Sequence, residues 1–194
     1  MLDNLKDYTI ILASQSPRRQ DLLKMANVSF EVVIVPDVPE DFPATMAVTE
    51  VPEFLAEQKQ KAYAHIWSKP QTLVITADTI VELKGRVLNK PADRAEAIQM
   101  LQALSGVRPR VLTGVVLKSA HKQQVFTAAT DVWFKELRKE DIEYYVDHYQ
   151  PFDKAGAYGV QEWIGLIGVR QINGSFYNVM GLPVAQLYEE LSNF

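Results

Sequence analysis

The chain has 194 residues, no cysteine and a formal net charge of −4 at pH 7, with 47% hydrophobic and 23% charged residues. That composition is typical of a globular protein with a substantial core, and it excludes a disulfide framework, a zinc–thiolate site and a cysteine nucleophile. The acidic balance argues against a protein that binds the phosphate backbone of nucleic acids. The first residues lack signal-peptide features and no apolar run is long enough to span a bilayer, so we expect a cytoplasmic protein that binds no membrane.

Apolar runs that predict strands alternate along the chain with segments whose apolar residues recur at helical spacing. The expected elements, in chain order, are a strand at 8–13, a helix at 17–26, a strand at 30–35, a helix at 51–67, a strand at 73–77, a hairpin at 82–87, a helix at 93–105, strands at 110–118 and 125–133, a helix at 139–148, a loop at 151–159, a hairpin near 173–174 and a helix from 183. This mixture predicts an α/β protein with a curved, mixed sheet flanked by helices. No stretch has the composition of a linker, so we predict a single domain over residues 1–194.

Two of the expected helices have local start signals. Ser16 is placed to cap the first helix, and Pro17 follows at the first helical position, where a missing N–H costs nothing. Asp93, with Glu96 three residues later, forms a capping-box pattern before a later helix. These residues indicate where the preceding loops end.

The loop before the first helix places Arg18 and Arg19 in that helix's first turn. Cations are disfavoured there because the helix dipole is positive at its N-terminus. A bound phosphate would remove the conflict, since backbone N–H groups, serine hydroxyls and guanidinium groups all donate to it. The alternative is that both arginines extend into solvent or pair with nearby acids.

Asp78 follows directly after the expected strand at 73–77. Parallel α/β sheets commonly place functional residues at such strand ends. A carboxylate there is suited to binding a divalent cation or to taking a proton from an attacking water; the alternative is a turn aspartate that caps a local N–H. The sequence has neither a Walker-type loop nor a GxGxxG motif, so the two commonest phosphate-binding signatures are excluded.

Two lysines, Lys90 and Lys154, lie in expected loops beside strand ends, as Arg18 and Arg19 do. Lysines in loops are usually only solvated. If these strand ends converge, however, the four cations form a basic pocket in an acidic protein. Such a pocket is what a triphosphate needs.

Six short motifs occur in an order and spacing that cover nearly the whole chain. They are ASQSPRR at 13–19, TADTIV at 76–81, NKP at 89–91, LSG at 104–106, DKAGAYGVQ at 153–161, and NG with GLP at 173–174 and 181–183. With this set the chain resembles the Maf-like nucleotide pyrophosphatases, and within them the branch that acts on dTTP and UTP. The resemblance implies cleavage of a nucleoside triphosphate into the monophosphate and pyrophosphate, in a house-cleaning role. It also implies a two-lobed α/β fold similar to inosine triphosphate pyrophosphatase, with the active site in the cleft between the lobes.

The same resemblance implies roles for individual residues. Asp78 matches the catalytic proton acceptor, and three residues match positions that distinguish the nucleotide base: Arg18, Thr79 and Gln161. Further polar residues are expected around the phosphates and a divalent cation, Mg²⁺ or Mn²⁺: Ser14, Arg19, Lys59, Lys90 and Lys154 for the phosphates, and Asp78 with Glu40 for the metal. Lys61 offers a second alignment for the position assigned to Lys59.

Two alternative functions stay open. One is the same enzyme class acting on 7-methyl-GTP or a modified nucleotide, and the other is a nucleotide-sensing regulator of septum formation. Asp78 favours catalysis, because a sensor needs the cations but not a carboxylate that activates water. The expected partner is a small nucleoside triphosphate and no nucleic acid, and a homodimer is left open.

Overall fold

The computed structural model describes residues 2–36 and 38–194. The chain divides into two compact units. The first unit comprises the chain up to Asp78, Thr113–Ala128 and Gly181–Phe194, and the second comprises Thr79–Leu112 and Ala129–Met180. Each unit is therefore assembled from separate stretches of the chain.

Within the described residues, seven strands form one mixed β-sheet. They are β1 (Thr9–Leu12), β2 (Glu31–Val32), β3 (Thr72–Leu83), β4 (Arg86–Leu88), β5 (Arg110–Lys118), β6 (Gln123–Phe134) and β7 (Val169–Asn173). Their order in the sheet is β2-β1-β3-β5-β6-β7, with β4 paired to β3. Strand β1 is parallel to β2 and β3, whereas the β3–β4 and β6–β7 pairs are antiparallel. The predicted α/β class with a mixed sheet is confirmed.

The same part of the chain forms eight α-helices. They are α1 (Pro17–Met25), α2 (Val51–Ala62), α3 (Ala64–Trp67), α4 (Arg94–Leu104), α5 (Lys139–Tyr149), α6 (Trp163–Gly168), α7 (Phe176–Met180) and α8 (Val184–Ser192). Over the described ranges, none of these helices has the length and apolar character needed to cross a membrane. One half of the capping box before α4 is confirmed, because the Asp93 carboxylate accepts from the Glu96 backbone N–H at 2.9 Å. The Glu96 carboxylate accepts from the Ala92 N–H at 2.6 Å, one residue before the cap, and not from the Asp93 N–H that a capping box uses.

In the first unit, β1 and β3 lie at the centre of the core. Leu12 and Ile75 face each other in these two strands, and neither has exposed surface. Tyr63 and Ile66, from the region of α2 and α3, are buried in a cluster with Val74 of β3. The parallel pair is thus covered by helices, as parallel strands require.

In the second unit, α4, α5 and α6 surround a separate apolar cluster. Each helix contributes a fully buried side chain: Leu101, Tyr145 and Ile164. Phe134 and Tyr158 pack edge to face in the same cluster, with ring centroids 5.0 Å apart. This core supports the loop between α5 and α6.

Two expected elements of the first unit are shorter than predicted, and Tyr63 accounts for both. The helix expected at 51–67 is divided at Tyr63, where ψ is 15°. The Tyr63 hydroxyl donates to the Val33 carbonyl at 3.1 Å and accepts from the Val35 N–H at 3.0 Å. Because these two backbone groups bond to the Tyr63 hydroxyl and not to a neighbouring strand, the strand expected at 30–35 is regular only at Glu31–Val32.

The hairpin expected near Asn173 and Gly174 is wrong. Strand β7 ends at Asn173, and the chain then enters α7. The Ser175 backbone N–H donates to the Thr130 hydroxyl at 3.1 Å, and the Ser175 hydroxyl accepts from the Asn178 N–H at 3.2 Å. Thr130 thus holds Ser175 where it caps the helix, so the Asn-Gly pair turns the chain into a helix.

Candidate active site

Asp78 lies inside β3, so the expectation that it follows the end of the strand is wrong. On one side, β3 pairs with β1 as far as the Leu12–Ile75 pair, and it pairs with β4 from Val81 onward. Asp78 falls between these two paired stretches. The strand continues because residues 79–81 are β-branched and suit an extended backbone.

Asp78 is nearly buried, with 9% of its surface exposed, and its carboxylate is bound by the Lys59 ammonium. The same ammonium lies 2.7 Å from the carboxylate of Glu40, whose side chain is half-exposed. Lys61, the alternative to Lys59 in the sequence, is exposed on α2. The structure therefore brings together Glu40, Lys59 and Asp78.

The position of Lys59 follows from the way α2 packs. The Thr76 hydroxyl of β3 donates to the Ala56 carbonyl of α2 at 2.8 Å. Residues two apart in a strand share a face, and residues three apart in a helix are neighbours, so this bond directs Lys59 towards Asp78. On β5, a Cβ at Gly114 would overlap the backbone of the first turn of α2. Glycine at that position allows the helix to approach the sheet closely.

Arg19 ties α1 to two other segments of the first unit. Its Nε donates to the Gly181 carbonyl at 2.8 Å, and its Nη1 donates to the Ala77 carbonyl at 2.8 Å and to the Ser14 hydroxyl at 3.4 Å. Burial of the guanidinium lowers the pKa of Arg19, and the nearby carboxylate of Asp78 acts in the opposite direction. Arg19 therefore packs beside Asp78 and does not simply extend into solvent.

Ser16 occupies the N-cap position of α1, and Pro17 is the first helical residue, as predicted. Within the described residues, the Ser16 side chain makes no capping bond; its backbone N–H donates to the Ser14 hydroxyl at 3.2 Å. Arg18 lies in the same first turn, and its charge adds to the effect of burial in lowering the pKa of Arg19. The start of α1 thus concentrates positive charge near Ser14.

The other predicted site residues belong to the second unit: Thr79, Lys90, Lys154 and Gln161. Thr79 is half-buried in β3, and Lys90 is exposed after β4. The Gly156 backbone N–H donates to the Asn89 carbonyl at 3.1 Å. The loop after β4 and the loop before α6, each of which carries a predicted lysine, therefore meet.

Lys154 is nearly buried, with 10% of its side chain exposed. Its ammonium lies 2.7 Å from the Asp153 carboxylate and 3.2 Å from the Glu162 carboxylate. Glu162 also accepts a short hydrogen bond from the Tyr145 hydroxyl. Neither Tyr145 nor Glu162 is singled out by the sequence, because Tyr145 has the spacing of a core residue in a helix and Glu162 lies outside every motif that carries chemistry.

Gln161 carries an unsatisfied polar atom. Its side-chain oxygen is buried and has no hydrogen-bond partner among residues 2–36 and 38–194. A buried acceptor without a donor costs free energy, and in native proteins such atoms are few. The oxygen is therefore suited to accept a hydrogen bond from a ligand.

Glu40 and Asp78 are the candidate ligands for a divalent cation. In the part of the chain that the structure describes, no group of three or more His, Cys, Asp or Glu side chains is arranged to hold a metal ion. Mg²⁺ does not require such a group, since it is commonly held by one or two carboxylates together with phosphate oxygens and water. Two carboxylates that converge on the Lys59 ammonium fit this requirement.

The sequence profile described as "Maf-like protein" matches residues 9–194. Among solved structures, the chain is similar to a HAM1 protein from Coxiella burnetii, at 18% identity, with a TM-score of 0.48 over 96% of this chain and 100% of that one. The family relationship therefore rests on the sequence.

Curated relatives match over nearly their full length. A protein from Bacteroides thetaiotaomicron is 56% identical over 98% of both chains, and one from Parabacteroides distasonis is 50% identical over 100% of both. A third, from Porphyromonas gingivalis, is 49% identical over 100% of this chain and 98% of its own. All three bear the name dTTP/UTP pyrophosphatase.

Proposed function

The chain belongs to the Maf-like protein family, and on that basis we propose that it is a nucleoside triphosphate pyrophosphatase that hydrolyses dTTP and UTP to the monophosphate and pyrophosphate. The names of its relatives support this substrate pair. The observation that carries the proposal is the nearly buried carboxylate of Asp78, bound by Lys59 and flanked by the partly buried guanidinium of Arg19. A positioned carboxylate among cations is what hydrolysis of a phosphoanhydride bond needs.

In the proposed reaction, water attacks the α-phosphorus in line with the departing pyrophosphate. Asp78 orients this water and accepts a proton from it. Lys59, Arg19 and Lys90 stabilise the negative charge of the pyrophosphate as it leaves, and the Ser14 hydroxyl donates to a phosphate oxygen. Most of the rate enhancement then comes from positioning and electrostatic stabilisation.

Glu40 and Asp78 would hold a divalent cation, Mg²⁺ or Mn²⁺. When bound, the cation would polarise phosphate oxygens and neutralise part of their charge. Lys59 contacts one oxygen of each carboxylate and so keeps the two carboxylates close together. The phosphates and water would complete the ligand set.

Arg18, Thr79 and Gln161 form the proposed base-reading set. Uracil and thymine present an N3–H donor between two carbonyl oxygens, whereas cytosine lacks this donor. The unpartnered oxygen of Gln161 suits the N3–H, and the guanidinium and hydroxyl donors of Arg18 and Thr79 suit the carbonyls. Discrimination is strong when a mismatched base leaves such buried groups unpaired.

A single domain over residues 1–194 is consistent with relatives that match over 98–100% of both chains. The cytoplasmic location stays a prediction from the sequence, which leaves a homodimer open.

The reaction type is tested with purified protein, Mg²⁺ or Mn²⁺, and dTTP or UTP. We expect equal amounts of the monophosphate and pyrophosphate, measured by anion-exchange chromatography, and we expect EDTA to stop the reaction because the cation is removed. Orthophosphate with a diphosphate product would place the attack at the γ-phosphorus and contradict the proposal. Nucleotide binding without turnover would instead favour the alternative function, a nucleotide-sensing regulator.

The base-reading set is tested by substrate preference. We expect kcat/KM for UTP and dTTP to exceed that for 7-methyl-GTP by at least about tenfold, which requires only about 1.4 kcal/mol of differential transition-state binding. Arg18→Trp should erode this preference, because it removes donors and offers a stacking face to a larger cationic base. If 7-methyl-GTP is the best substrate, the assignment of Arg18, Thr79 and Gln161 to pyrimidine recognition is wrong.

A further inference from the structure

A chain of hydrogen bonds inside the second unit fastens the loop that precedes α6. The Gly159 backbone N–H donates to the Tyr145 hydroxyl at 2.9 Å, and that hydroxyl donates in turn to one carboxylate oxygen of Glu162. The other carboxylate oxygen of Glu162 lies 3.2 Å from the Lys154 ammonium. We call this set, Lys154, Tyr145, Gly159 and Glu162, the loop clamp.

The clamp is buried where it crosses the core. Tyr145 has no exposed surface, and 8% of the Lys154 residue is exposed. Burial and the hydrogen bond to Glu162 raise the pKa of the Tyr145 phenol. Tyr145 therefore stays protonated at neutral pH and remains the donor that holds Glu162 in place.

Close backbone contacts hold the same loop elsewhere. A Cβ at Gly159 would lie 2.7 Å from the Glu162 carboxyl carbon, so only glycine fits beside the clamped carboxylate. A Cβ at Gly165 would overlap the Val160 carbonyl. The bond from Gly156 to Asn89 holds the other end of the loop. Residues on both sides of Gln161 are thus fixed.

Gln161 lies between Val160 and Glu162, and its buried oxygen lacks a partner among the residues that the structure describes. An unsatisfied acceptor discriminates between ligands only if its position is held, since a mobile side chain would turn towards any donor. The loop clamp holds the backbone at Glu162, which directly follows Gln161. A side chain that reads a base needs a hydrogen-bonding group without a protein partner on a backbone that does not move, and Gln161 beside the clamped Glu162 has both.

We propose that Tyr145, Glu162 and Lys154 are positioning residues for substrate discrimination: they hold Gln161 so that it accepts the N3–H of uracil or thymine. This proposal rests on the proposed function. It gives Lys154 a different role from the phosphate-binding one expected from the sequence, because its ammonium is already bound by the Asp153 and Glu162 carboxylates in a nearly buried position.

The test compares UTP with CTP, which differ at N3 and its neighbouring exocyclic group. We expect Tyr145→Phe to lower the UTP-over-CTP ratio of kcat/KM by about fivefold or more, chiefly through a higher KM for UTP. The phenylalanine keeps the ring packing of Tyr145 and removes only the hydroxyl. Tyr144→Phe makes the same change on the exposed face of α5, and it should leave the ratio unchanged.

A double-mutant cycle with Gln161→Ala shows whether the clamp acts through Gln161. We expect the Tyr145→Phe, Gln161→Ala double variant to have the same UTP-over-CTP ratio as Gln161→Ala alone. Multiplicative losses would overturn the proposal, as would equal losses for UTP and CTP in Tyr145→Phe.

Two further measurements distinguish a positioning role of the loop clamp from phosphate binding by Lys154 and from destabilisation of the whole second unit. Amide hydrogen exchange at residues 156–162 of the nucleotide-free protein should quicken about tenfold or more in Tyr145→Phe, while α4 stays unchanged. Pyrophosphate should inhibit Lys154→Met as strongly as wild type, within about twofold. Unchanged exchange, or much weaker inhibition, would contradict the clamp or its separation from the phosphates. Should Lys154→Met not fold, Tyr145→Phe still decides the question.

The wild-type enzyme distinguishes the two levels of failure. If it releases no pyrophosphate from UTP, the proposed function fails, and the role of the clamp in discrimination fails with it. If it prefers UTP and the variants keep that preference, only the positioning role fails.

Discussion

Asp78→Asn is expected to lower kcat for dTTP and UTP by about 10²–10⁴-fold while the protein remains folded. Asparagine has nearly the same size and keeps an oxygen that accepts from Lys59, whose ammonium also retains Glu40. What the variant loses is the ability to take a proton from water. Turnover should be measured by pyrophosphate release, and folding by thermal denaturation.

A matched control is Asp131→Asn. Asp131 is another partly buried carboxylate on a strand, paired with Arg110 at 3.2 Å, but it lies outside the proposed reaction. Its substitution should change kcat by less than about twofold. Because Asp78 is also proposed to bind the cation, the loss should lie at the upper end of the stated range or above it, and excess Mn²⁺ should restore part of the activity. An Asp78→Asn variant that keeps more than about a third of wild-type kcat would show that another group activates the water.

Arg19→Ala is expected to weaken both catalysis and stability. The substitution removes the hydrogen bonds that Arg19 donates to the carbonyls of Ala77 and Gly181, and each such bond contributes about 1–2 kcal/mol, so the free energy of unfolding should fall by about 2–4 kcal/mol. The value of kcat/KM should fall at least about tenfold and by similar factors for every triphosphate, because the guanidinium is proposed to meet only phosphate. Urea denaturation and a nucleotide panel measure the two effects.

Arg19→Lys separates charge from geometry. Lysine keeps the positive charge, but it lacks the planar group that reaches two carbonyls at once, so it should recover part of the activity and less of the stability. Lys24→Ala is the control on the same helix, since the Lys24 side chain is exposed and pairs with the exposed side chain of Asp21; its effect on unfolding should stay within about 0.5 kcal/mol. An Arg19→Ala protein as stable as wild type would mean that its contacts to Ala77 and Gly181 contribute nothing. A loss for dTTP and UTP alone would assign Arg19 to base recognition.

Local features of the fold were predictable from the sequence because their causes lie within a few residues. Lys84 and Gly85 both adopt positive φ in the turn between β3 and β4, as a tight hairpin requires. At the start of α4 the Asp93 carboxylate caps the Glu96 N–H as predicted, while the returning bond to Glu96 comes from the Ala92 N–H, one residue earlier. The α/β class followed from apolar periodicity, and the family followed from motif order along the chain.

Some local predictions failed where a distant side chain supplied a competing bond. Tyr63 takes the backbone groups of Val33 and Val35, so that strand stops early. Thr130 fixes Ser175 as a cap, and the Asn-Gly pair therefore opens a helix. In both cases the partner is more than 25 residues away, beyond the reach of periodicity and turn propensity.

The candidate site shows the same division. The sequence determined which residues carry charge and which loops hold them, including Asp78, Arg19 and Lys90. Only the tertiary structure decided that Lys59 meets Asp78, since that contact depends on the packing of α2 against β3. The burial of Lys154 against Glu162 depends likewise on the fold of the loop before α6. Hydrogen bonds and ion pairs form between groups within a few ångströms, and no sequence pattern specifies which distant groups packing brings to that range.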